Sequence, residues 1–152
     1  MTSANPATPR SWDVTSVDDG AMFVRTESLP QTPQQHMTVR VHTAIGSAVV
    51  LWRGDPRDAD GQHLIEWTVD EGIRWGQNTR AASATEPELR QEGDRVIMSG
   101  RLHLTADGAA YLQIGHWSVL LDLASPVPSG MDRSWVQISV GSDSVALHPY
   151  QT

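Results

Sequence analysis

With 152 residues, a formal net charge of −7 and no cysteine, the chain suits one domain with a self-sufficient core. It excludes thiolate nucleophiles, Cys-based zinc sites and structural disulfides, which fits a cytoplasmic setting. All 11 basic residues are Arg and no long block is net basic, so charge alone announces no phosphate-binding surface.

Residues 1–10, with Pro6 and Pro9 among Ser, Thr and Ala, read as a disordered lead-in without the basic start and apolar core of a signal peptide. Ser11 to Val17 and Ala21 to Thr26 flank Asp18-Asp19-Gly20, a hairpin turn signal, with Trp12, Val14, Met22 and Val24 along one side. Pro30, Pro33 and the Gln34-Gln35 pair then form a linker. Residues 11–35 are therefore expected to be an N-terminal hairpin and linker appended to a main body spanning 36–150.

Met37 to Thr43 alternates, with Met37, Val39 and Val41 opposite Thr38, Arg40 and His42. Ala48 to Trp52 is an apolar run typical of a strand covered on both faces. Arg53 to Gly61 is a polar loop, and His63 to Val69 a third strand turning at Asp70-Glu71-Gly72 toward Ile73–Gly76. Between Asn78 and Glu92 the pattern changes. Thr85 as cap, Glu86 and Glu88 in the first turn, an early Pro87 and a closing Gly93 predict a short helix of about two turns.

The strongest pattern runs from Gly93 to Val119. Val96, Met98, Leu102 and Leu104 alternate with Arg95, Ser99, Arg101 and His103, and Gly100 holds the remaining inner slot. Ala106-Asp107-Gly108 turns the chain into Ala110, Leu112 and Ile114, and Gly115-His116 turns it again into Trp117, Val119 and Leu121. This predicts an antiparallel meander. Ser134–Val140 and Ser144–Leu147 are the closing strands. No apolar run is long enough to cross a bilayer, and no membrane association is expected.

Three strands, a short helix and further strands is the element order of an OB-fold. The expectation is an all-β, OB-like Greek-key or meander β-barrel with one short helix and an N-terminal hairpin. The block LRQEGDRVIMSGRL resembles the corresponding segment of bacterial single-stranded-DNA-binding proteins, where a helix end and a glycine lead into a valine-rich strand closing with Gly-Arg-Leu. Gly93, Val96, Gly100, Arg101 and Leu102 match that pattern, and His63–Val69 is similar to the family's preceding strand. The resemblance implies an OB-fold and single-stranded nucleic acid as ligand.

Six Trp stand against one Phe and two Tyr. Trp52, Trp117 and Trp135 lie in strongly apolar strands and read as core. Trp67 and Trp75 lie beside Arg74, Arg80 and loops, and are the candidates for stacking on bases at about 1–3 kcal/mol each. Core filling would use the same residues. Arg40, Arg74, Arg95 and Arg101 are the candidates for phosphate contacts, although a solvated face paired with nearby acids has the same sequence. The six His form no metal-ligand spacing, so no metal or cofactor is expected. His42 and His103, both on polar strand faces, could face each other across a barrel. No nucleophile elbow accompanies the Ser, His and Asp residues, so no catalytic residue is assigned. Glu66 is expected to face solvent.

The sequence is thus read as a binding module rather than an enzyme. Single-stranded nucleic acid comes first, a protein partner (adaptor, inhibitor or immunity-type) second, and a β-barrel enzyme or small-ligand binder of specialised metabolism third. Exposed strand edges leave room for a homodimer.

Overall fold

The computed structural model describes residues 21–31 and 36–150. Among them are eleven strands: β1 (Ala21–Ser28), β2 (Thr38–Thr43), β3 (Gly46–Trp52), β4 (Gly61–Val69), β5 (Thr79–Ala81), β6 (Glu88–Glu92), β7 (Arg95–Leu104), β8 (Ala110–Ile114), β9 (Trp117–Leu121), β10 (Trp135–Gly141) and β11 (Val145–Pro149).

β1, β2 and β3 form an antiparallel meander, and β4 returns to the free side of β1. β11 closes the ring, antiparallel to β4 and parallel to β3 through Ala146↔Leu51 and Leu147↔Trp52. The result is a closed five-stranded mixed barrel, consistent with an OB-like fold. Period-two alternation sorts its side chains, so Val24, Val39, Val41, Val50, Ile65 and Trp67 point inward and are buried. A 3-10 turn at Pro56–Asp58 links β3 to β4. Asp55 caps it, accepting from the Arg57 backbone N–H at 2.9 Å and from its guanidinium at 2.8 Å.

Between β4 and β11 the chain builds a second sheet in the order β6-β7-β10-β5, with β8 and β9 following from β7. It joins the barrel where Gly46 of β3 meets Leu89 of β6 in parallel. β7 lies against β6 from Arg95 to Ser99, and against β8 from Arg101 to Leu104. Gly100 sits at the handover, and a Cβ there would lie 2.3 Å from the Gln113 carbonyl oxygen. The inner faces of barrel and sheet share one hydrophobic cluster. Trp67 of β4 and Trp117 of β9 stack within it at 4.4 Å and 19°.

The meander 93–119 forms as expected, but it lies in the second sheet and not in the barrel wall. The block LRQEGDRVIMSGRL, which carries most of the family resemblance, is therefore outside the closed barrel, whereas His63–Val69 lies in β4 of its wall. The short helix expected over 85–93 is a strand, β6, and the described residues contain 3-10 turns but no α-helix. Leu89 was the one apolar anchor on offer, and one anchor makes no helical face. Alternation explains the strand instead. Leu89 is buried at 1 % exposure, and Gln91 accepts the Val49 N–H at 2.8 Å. Glu88, Arg90 and Glu92 line the other face, with Arg90 bonded to both acids. The segment Ala21–Thr26, expected in an appended hairpin, lies in β1 and pairs with both β2 and β4. The other arm of that hairpin, Ser11–Val17, falls outside the described residues, as does the lead-in 1–10.

Candidate functional site

The six residues singled out from the sequence are not brought together. Trp67 is 2 % exposed, and one of its ring faces lies against Trp117. Trp75 is half-buried against the core, and its backbone N–H donates to Ser125 Oγ at 3.1 Å. Arg74 is exposed in the loop after β4 and reaches the Ala124 carbonyl at 3.4 Å. Arg95 and Arg101 share the outer face of β7. Arg101 is exposed, its guanidinium 5.5 Å from the centroid of the Trp135 ring. Arg40 lies on the outer face of β2 in the barrel wall.

Arg95 has a structural task. It donates to Ser139 Oγ and to Glu71 Oε2, both at 3.2 Å. Glu71 also accepts the Gly141 N–H at 2.9 Å and the Asn78 amide at 3.1 Å. This staples the loop after β4 to β7 and β10. Burial pushes the Glu71 carboxyl upward, but the Gly141 and Asn78 hydrogen bonds and the Arg95 charge outweigh it and leave the pKa lowered. Glu88 behaves alike, with burial opposed by hydrogen bonds from Arg90 and Ser99. The Arg57 side-chain hydrogen bond, aided by its backbone N–H, holds Asp55 at about 2. Carboxyls depressed in the folded state stabilise it above their unfolded values, and that contribution is lost as pH falls through the folded ones. Thermal midpoints are therefore expected to hold steady above about pH 5 and to fall between about pH 4.5 and 2. Melts across that range check this, and Glu71→Gln should flatten part of the slope.

Exposed aromatics and cations do converge elsewhere. On the outer wall of the barrel, β1 presents Phe23, Arg25 and Glu27 between the inward Val24 and Thr26. Register sets Arg25 beside His42 and Gln62, Glu27 beside Arg40, and Phe23 beside Leu64. The Tyr150 N–H donates to the Leu64 carbonyl at 2.9 Å, which continues this row past β11. Cross-strand partners share a face, so Phe23 and Tyr150 flank Leu64, their strands about 10 Å apart. Phe23 is 39 % and Tyr150 41 % exposed. His42 Nε2 donates to Glu27 Oε1 at 2.6 Å. That bond, with the charges of His42, Arg25 and Arg40, holds the Glu27 carboxyl below its usual value. Among the described residues neither Arg25 nor Arg40 donates a side-chain hydrogen bond, and the charges of both act on the Glu27 carboxyl. Phe23, Arg25, His42 and Gln62 also border a groove of about 470 Å³.

The sequence signal for this wall was an aromatic on the wet face of β1: Phe23 and Arg25 alternate with Met22 and Val24. His42 and His103 do not face each other. His42 is on the barrel wall, while His103 is on β7, bonded to Gln113 at 2.9 Å and stacked on Tyr111 at 4.8 Å. Glu66 is exposed, as expected. No group of three or more metal-ligating side chains occurs among the described residues. Comparison with protein-family models, with curated proteins and with solved structures returns no match.

Proposed function

We propose that this protein is a non-enzymatic binding module that takes single-stranded nucleic acid across the outer wall formed by β2, β1, β4 and β11. The observation that carries this reading is the convergence of two exposed aromatics, Phe23 and Tyr150, with Arg25 and Arg40 on one face of a closed barrel. Rings of this kind stack bases irrespective of sequence, and guanidiniums pair with phosphates. Small five-stranded barrels use a strand face for oligonucleotides, an analogy that supports the side-chain argument and does not replace it. The net charge of −7 opposes a polyanion at long range. At about 0.1 M salt it is screened beyond about 10 Å, which leaves the local pair of Arg to act.

Two phosphate contacts give a shallow salt slope of about −1.4, or about sevenfold weaker binding between about 50 and 200 mM salt. Anisotropy of a labelled single-stranded DNA of about 15 nucleotides is expected to report that loss. Phe23→Ala and Tyr150→Ala should each weaken binding by about 1–3 kcal/mol, while Arg101→Ala leaves it unchanged. Absence of binding at low salt, or full affinity in both aromatic variants, would overturn the reading.

A further inference from the structure

We infer that the open edge of β9, with the groove between β9 and β4, docks an extended segment of a protein partner that alternates basic and apolar residues. Among the described residues β9 hydrogen-bonds to β8 alone. Among the described residues its other edge has no backbone partner until just past the strand, where Ile73 pairs with Asp122 and Ala124. Open edges are commonly blunted by Lys, Pro or inward charges, but the sequence of β9, WSVLL, has none of these. Its outward Leu120 is 70 % exposed, the highest exposure of any large apolar side chain among the described residues, and lies beside Tyr111 of β8.

Alongside this edge runs a groove of about 590 Å³ lined by Glu66, Asp70, Ser118, Leu120, Asp122 and Tyr111, among others. None of its lining residues among those described is basic. None of the three carboxylates joins an ion pair among the described residues. Trp67 also lines the groove, buried, and its indole N–H has no acceptor among the described residues. Backbone pairing along an edge supplies affinity, while pockets for alternate side chains supply specificity. Here the apolar residues of the partner would meet Leu120 and Tyr111, and its cations would meet Glu66, Asp70 and Asp122. Charge complementarity selects a basic segment and rejects an acidic one. The groove adjoins the wall carrying Phe23 and Tyr150 at Glu66 of β4, while Leu120 lies on β9 outside that wall, so a change at Leu120 separates the two roles.

The test uses the full chain and two labelled peptides of about ten residues, one alternating Val with Lys and one alternating Val with Glu, titrated by anisotropy. The basic peptide is expected to bind, and to bind at least about tenfold more weakly to Leu120→Lys and to Asp122→Lys. Oligonucleotide binding and the thermal midpoint of Leu120→Lys should stay unchanged, because that side chain is exposed. Equal binding of both peptides, or of neither, would overturn the inference. So would a concentration-dependent dimer abolished by Leu120→Lys, which would assign the edge to a second copy of the chain.

Discussion

Gly46→Ala is expected to destabilise the fold by about 4 kcal/mol, from backbone strain of about 1–3 kcal/mol and overpacking of about the same size. Gly46 has φ +149, a conformation L side chains rarely adopt. An added Cβ would sit 1.9 Å from the Leu89 carbonyl oxygen. The obstacle is backbone, so no rotamer change relieves it. Gly46↔Leu89 is also the pairing that joins β3 to β6. Moving β6 away would pull Gln91 from the Val49 N–H and expose Leu89, so the strain spreads to the join between barrel and sheet. For a chain of this length the loss corresponds to a fall of about 8–16 °C in Tm. Gly93→Ala is the control. Gly93 has φ +62, but an added methyl would meet nothing within 4 Å, so only the left-handed backbone cost of about 1–2 kcal/mol applies. A Gly46→Ala protein melting no lower than Gly93→Ala would contradict the argument.

Trp67→Ala should cost about 3–5 kcal/mol, and Trp67→Phe less than about 1.5 kcal/mol. Trp67 holds β4 against β9 through its stack on Trp117, so truncation opens a cavity where barrel and second sheet meet. Phenylalanine keeps an aromatic ring against Trp117. It also removes an indole N–H that is buried without an acceptor among the described residues, a burial that costs about 1–3 kcal/mol. Urea melts of the two variants check this. A Phe variant as costly as Ala would contradict this. Trp67→Phe should also leave oligonucleotide affinity unchanged, because Trp67 offers no exposed ring face.

Strands with a clean period of two were legible in the sequence: β2, β4, β7, β8, β9 and β10 fall close to where alternation puts them. The all-β class followed from them, while the OB-like barrel was read from an element order that included a helix the chain does not form. Barrel closure was not legible. It depends on β11 lying parallel to β3, nearly a hundred residues earlier, and no local pattern records such a pairing. β6 was misread because its acids, proline and closing glycine imitate helix punctuation, while the partners that make it a strand, Val49 and Met98, lie elsewhere in the chain. At the candidate site, Arg40 was picked from its polar strand face, and that is where it lies. Arg95 was picked by the same rule but is engaged with Glu71 and Ser139. Trp67 drew attention as a large aromatic near loops, yet in a chain with a single Phe the indoles of Trp52, Trp67 and Trp117 fill the core, whereas Trp135, also read as core, is half-buried beside Arg101. Phe23 carried the better signal, an aromatic sharing a face with Arg25, and Tyr150 joins it only through the pairing of the chain end with β4.

Amide chemical-shift mapping of the full chain, titrated with a short single-stranded DNA at low salt, tests the proposed interface most directly. Shifts concentrated at residues 23–27, 40–42, 62–64 and 148–150, with those of β9 and the outer face of β7 left in place, are the expected result. Shifts centred on Arg101 and Trp135, or no shifts at all, would contradict the assignment of the barrel wall as the nucleic-acid surface.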